Sequence, residues 1–172
     1  MTAKAPRGHI IDTARLVEHF PTHRHESAFW ESLGRAVATF GFLEEMLAKA
    51  IFAFTAIRPY EESEIEKAFE QWLPKLERAL TDPLGGLIDS FGKAVRDHPE
   101  EAISDLPDLL SDLKKAAAMR NILSHGSWRL PDAHGAAVPL FVNRQKEVVE
   151  TAMDCAYLGT TGPGKPIWER QA

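Results

Sequence analysis

Three side chains able to handle phosphate and protons lie close together in the stretch from Ala116 to Trp128, AAAMRNILSHGSW: Arg120, Asn121 and His125. A guanidinium, an amide and an imidazole set among apolar neighbours cost more to desolvate than a core requires, so the cluster points to function. Together the guanidinium and the imidazole suit metal-free RNA transesterification. The imidazole moves a proton from the 2′-hydroxyl or to the leaving oxygen, and the guanidinium stabilises charge on the phosphorane. On an ideal helix, residues five apart are separated by about 140° around the axis and ~7.5 Å along it, so Arg120 and His125 do not share a face. The expectation is that the helix unwinds at Gly126 and His125 swings towards Arg120 or Asn121, where the helix C-terminus favours imidazolium. The acid and the base are wanted on opposite sides of phosphorus. A symmetric dimer supplies the second histidine across its two-fold axis.

These residues close the last of several helices. That helix starts near Leu106, with Ser104 or Asp105 as its cap and Pro107 in its opening turn. Asp105, Asp108 and Asp112 precede Lys114, Lys115 and Arg120, an order that matches the macrodipole and by itself explains the basic residues near the C-terminus. Gly126 reads as the C′ residue, ending the helix near Ser124 or His125.

The central helix spans Glu26 to Ala56, where Phe29, Leu33, Val37, Phe40, Leu43, Leu47, Ile51 and Phe54 recur at three and four residues. Glu44 falls beside Phe40, Leu47 and Ile51, whereas Glu45 and Lys49 turn away. Glu44 therefore either snorkels to water or forms an ion pair, and it is the carboxylate inferred to orient Arg120. Arg58-Pro59 ends this helix, and Glu61 and Glu62 open a second that runs to about Leu80. Its apolar face is Ile65, Phe69, Trp72, Leu73, Leu76 and Leu80, with a bend at Pro74. Thr81-Asp82-Pro83 reads as a cap with proline at the first helical position, starting a helix through Leu84, Leu87, Ile88, Phe91 and Val95. His98-Pro99-Glu100-Glu101 starts a further turn. Beyond Gly126, residues 128–130 and 138–142 flank the turn-like 131–135 and predict a β-hairpin, while 145–158 fit either a helix or a third strand.

The whole chain of 172 residues suits one domain, at 26–158, between a flexible segment 1–25 and a loose Gly/Pro-rich tail 159–172. A net charge of −5 makes a poor general binder of nucleic acid but leaves room for a local basic cleft. The single cysteine, Cys155, excludes an intramolecular disulfide and a Cys-based zinc cluster and fits a reducing cytosol. No apolar run approaches the ~20 residues of a membrane span, and the N-terminus lacks a signal-peptide core. The expected location is cytoplasmic, away from membranes. His19, His23 and His25 are close in sequence, yet beside Pro21 they have neither rigid geometry nor a fourth ligand, so no metal site and no cofactor is expected.

In RNILSH, an arginine, a polar neighbour and a histidine after four intervening residues, followed by HGSW, the chain resembles the HEPN superfamily. The motif closes the last long helix of an all-α domain, and FGFLEEML of the first helix is also similar to that group. The resemblance covers roughly residues 26–128. It implies an all-α, HEPN-like up-and-down helical bundle, here with a small C-terminal β-hairpin near 127–143, that dimerises with the two motifs facing one cleft. The implied activity is a metal-independent endoribonuclease of toxin, defence or RNA-processing type, leaving 2′,3′-cyclic phosphate. The implied partners are a second copy, an RNA substrate and an antitoxin or other protein. By position Arg120 and His125 are catalytic and Asn121 supporting; Glu44 is an inference from this sequence, and Lys115 and Trp128 are weaker substrate contacts. The competing reading is a catalytically silent module that binds protein or nucleic acid. In that reading Arg120 is an ion pair with Glu44, Asn121 and His125 serve the helix end, and Trp128 anchors the hairpin to the core.

Overall fold

The computed structural model describes residues 13–56, 61–81, 83–98, 104–143 and 145–160. The expected stop at Arg58-Pro59, Asp82 of the expected cap, most of the expected turn at 98–101 and nearly all of the tail lie outside them, as do the side chains of Leu76 and Leu80. Four long helices and a short one appear in chain order: α1 Ser27–Ala56, α2 Ile65–Thr81, α3 Leu84–Arg96, α4 Leu106–His125 and α5 Cys155–Gly159. A two-stranded antiparallel hairpin, β1 Ser127–Trp128 and β2 Pro139–Leu140, lies between α4 and α5. The chain is thus mostly helical with a small hairpin, and no helix among the described residues is long and apolar enough to cross a membrane.

The apolar period of α1 dictates the packing. Phe29, Leu33, Phe40, Leu47 and Ile51 are buried on one stripe, and α2, α3, α4 and α5 each pack against this helix. Leu84, Leu87, Ile88, Phe91 and Val95 of α3 form the second wall, and Leu106, Leu113 and Leu123 of α4 the third. Such contiguous burial of Leu, Ile and Phe supplies most of the drive to fold, at roughly 1.5–3 kcal/mol per side chain.

One helix start differs from expectation, and a second keeps the expected cap residue without its side-chain bond. Pro83 is the N-cap of α3 rather than its first helical residue, because its carbonyl already accepts the first helical bonds, from the Gly86 and Leu87 amides at 2.8 and 3.2 Å. Asp105 occupies the N-cap of α4 without a side-chain cap bond, its carbonyl accepting from Leu109 N–H. The larger difference concerns α2. Its Ile65, Phe69 and Leu73 are exposed, and of the apolar positions whose side chains are described only Ala68 and Trp72 are half-buried.

The hairpin pairs Ser127 with Leu140 and Trp128 with Pro139, a shorter ladder than the expected runs. Trp128 meets Phe29 edge to face at 5.0 Å, which ties β1 to the start of α1. At the turn, the Asp132 carboxylate accepts the His134 and Ala136 amides at 2.8 and 3.0 Å, and Gly135 takes the left-handed φ of +80° that suits glycine. The two amides, His134 first, hold the Asp132 carboxyl below its ordinary value. A depressed folded value means the turn's stabilisation is complete above the unfolded carboxyl's range and disappears as pH falls through the folded one. The protection of the His134 and Ala136 amides relative to an unstructured peptide at the same pH is accordingly expected to fall at acid pH, and in Asp132→Ala at all pH values; protection in that variant matching wild type at neutral pH would show that the carboxylate does not hold the turn.

Residues 145–158 form neither a continuous helix nor a third strand but two isolated bridges followed by the start of α5. Val142 bridges Val148 and Ala137 bridges Met153, then the Asp154 carboxylate caps α5 by accepting the Tyr157 amide at 2.6 Å. Met153 is completely buried. Near the N-terminus, Thr22 O accepts the Trp30 indole N–H at 2.9 Å, His25 stacks on Phe29, and His23 stacks on Phe20. The expected histidine group is therefore split between aromatic contacts. Among the described residues no three His, Cys, Asp or Glu gather to hold a metal.

Candidate active site

Arg120 lies on the side of α4 that faces α1, in line with the buried Leu113 and Leu123. Its guanidinium Nη2 stands 3.7 Å from Glu44 Oε1, and both side chains are 32% exposed. Nη1 donates to Asn121 Oδ1 at 3.4 Å. Glu44 thus takes the ion-pair alternative rather than running free to water. A partly solvated pair of this length contributes at most about 1 kcal/mol, so its consequence is mainly to fix the guanidinium plane. Arg carries five N–H donors, which leaves several for a ligand.

His125 is the last helical residue and is exposed. The expected unwinding does not occur. Gly126 N–H donates to Ile122 O at 2.8 Å and closes the last turn, so His125 keeps its helical direction and makes no hydrogen bond to Arg120 among the described residues. Gly126 ends the helix as expected but in extended backbone, with φ −67° and ψ 136°, rather than in the left-handed conformation common at that position. Its requirement for glycine is steric: an added Cβ would lie 2.6 Å from Ile122 O and 2.7 Å from Pro139 Cβ.

Within α4, Asn121 and His125 are one turn apart and about 40° around the axis, so they share a solvent face. Asn121 therefore stands between Arg120, which it contacts, and His125. Lys114, seven residues before Asn121 and about 20° from it, lines the same face and reaches Asp89 of α3 at 3.4 Å. Sequence reasoning passed over Lys114; the heptad step to Asn121 was the available signal. Lys115 points about 140° from Arg120 and pairs with Asp112 at 2.9 Å, so it is not brought to this group. Trp128 is turned into the aromatic contact with Phe29.

The chain thus joins Glu44, Arg120 and Asn121 into a connected group, while His125, about 140° around α4 from Arg120, stands apart from the guanidinium on an open surface. No family model, no curated protein and no solved structure matches this sequence.

Proposed function

We propose that this chain is a HEPN-like, metal-independent endoribonuclease whose working site is completed by a second copy across a two-fold axis. The observation that carries this reading is the half-buried Glu44–Arg120 pair, joined by the exposed Asn121 near the end of α4, with the exposed His125 one turn beyond Asn121. A half-buried arginine held on one edge by a carboxylate and an amide presents its remaining donors to a phosphodiester. The RNILSH motif supplies the family resemblance.

In this mechanism the 2′-oxygen attacks the adjacent phosphorus as its proton passes to one His125 imidazole. The bond to the 5′-oxygen breaks, and that oxygen takes a proton from the imidazolium of the other copy. The products are a 2′,3′-cyclic phosphate and a 5′-hydroxyl. Arg120 donates to the non-bridging oxygens, where negative charge accumulates in the transition state. Asn121 steadies one edge of the guanidinium and Glu44 another, and the histidine that meets the same phosphate comes from the second copy.

The direct test is incubation of the pure protein with mixed RNA in EDTA, followed by analysis of the new ends. Cyclic phosphate and 5′-hydroxyl ends, absent with Arg120→Ala and His125→Ala, are expected. Equal cleavage by all three proteins would assign the activity to a contaminant. Glu44→Gln tests the positioning role: cleavage is expected to fall about tenfold while stability changes by no more than about 1 kcal/mol. Unchanged cleavage in Glu44→Gln would remove Glu44 from the site.

A further inference from the structure

The uncovered face of α2 continues into a cavity of about 270 Å³ between α1 and α2, lined by Phe52, Thr55, Ile65, Phe69 and Trp72 among others. Trp72 closes its floor, its indole N–H donating to Thr55 Oγ1 at 3.1 Å and its ring meeting Phe52 at 5.3 Å. Ile65 and Phe69, at 53% and 55% exposure, form the outer lip, which Leu73 extends by one more turn. Three large apolar side chains at four-residue spacing, left in water on a helix whose other faces are strongly polar, make a seam of the kind that receives another helix.

The charges beside this seam select the occupant. At about 100° per residue, Ala68 and Trp72 mark the edge of α2 that α1 covers, and the opposite, open edge runs past Leu73 to Glu66, Glu70 and Glu77. Glu66 and Glu70 form no ion pair among the described residues. A second copy does not fit. Antiparallel pairing of α2 with its own image would set these acidic edges against each other, and parallel pairing would need the edge that α1 occupies. RNA and anionic lipid surfaces are repelled by the same glutamates.

We infer that the α1–α2 groove is a docking site for a basic amphipathic helix of a protein partner. That helix carries apolar anchors at four-residue spacing for Ile65, Phe69 and Leu73, and Lys or Arg along one flank to meet Glu66 and Glu70. The surface is separate from Arg120 and His125, so the inference stands whether or not the chain cleaves RNA.

The test uses the full-length protein and two labelled helical peptides with identical leucine anchors, one with lysine and one with glutamate on the flank. Fluorescence anisotropy should show the lysine peptide binding at least about tenfold more tightly at low salt. Glu66→Lys/Glu70→Lys should invert that preference. Phe69→Ser should weaken both peptides about tenfold, with an unchanged helical circular dichroism spectrum, since this side chain is exposed. Equal affinity for the two peptides, no binding of either, or a preference that survives the double charge reversal would each overturn the assignment. So would a concentration-dependent dimer that Phe69→Ser dissociates, which would make a second copy the occupant.

Discussion

His125→Ala is expected to reduce RNA cleavage by ~10²–10⁴-fold, the range for losing a positioned general acid or base, without lowering the thermal midpoint. The two halves of that result have different origins. His125 is exposed and bonds to no other side chain among the described residues, so its removal leaves no cavity and no orphaned partner. Its loss in a two-fold site removes acid and base at once. Arg120→Ala should cost ~10²–10³-fold in rate, comparable to losing one preorganised oxyanion donor. It should also cost up to about 1 kcal/mol in stability, because Glu44 is left half-buried without its partner. Arg120→Lys distinguishes charge from geometry: a point charge cannot contact Glu44, Asn121 and a phosphate with a planar fork, so most of the rate should stay lost. Single-turnover cleavage of end-labelled RNA, alongside thermal melts, measures all three. Rates within a factor of about three of wild type for His125→Ala would sink the proposed chemistry.

Gly126→Ala is expected to destabilise the fold by about 2–3 kcal/mol, lowering the midpoint of a chain of this size by roughly 4–12 °C. Conformation alone argues for the opposite sign. With φ −67° and ψ 136° the backbone suits alanine, and relieving the unfolded chain of a glycine would stabilise by ~0.4–1 kcal/mol. Contact decides the outcome. The new methyl group would lie 2.6 Å from the Ile122 carbonyl oxygen and 2.7 Å from Pro139 Cβ, and neither can retreat cheaply. The carbonyl belongs to the last helical bond, and Pro139 is fully buried in the hairpin. A midpoint equal to or above that of wild type would show that the hairpin yields more readily than its burial indicates.

Gly126 also marks where the sequence was and was not legible. Its position after RNILSH located the helix end within one residue, because glycine and an ordered charge pattern are local signals. Its role was misread, since a close approach to Pro139 depends on a strand thirteen residues away in the chain. The expected swing of His125 failed for a related reason: the closing bond from Gly126 to Ile122 O is available without any left-handed residue. Glu44 was legible, because helical period alone put it between Phe40 and Leu47 and left it needing a cation. The apolar face of α2 was legible as a pattern and illegible as a location, since amphipathicity specifies that a face is to be covered but not by what. Lys115 and Lys114 differ by one residue and by about 100° of rotation, which is enough to exchange their roles.

The complete burial of Met153 has a temporal consequence. Met153 and Leu158 join the same apolar cluster as Phe29 and Leu33, and α5 packs against α1, so the first helix made is covered by nearly the last segment described. During synthesis the part of α1 that α5 covers stays open until the chain has been extended past Leu158. An unfinished chain of this design therefore lacks the finished scaffold that holds Glu44 against Arg120. If the protein cuts RNA, the messenger and ribosome producing it are in contact with an incompletely assembled site until translation has passed Leu158.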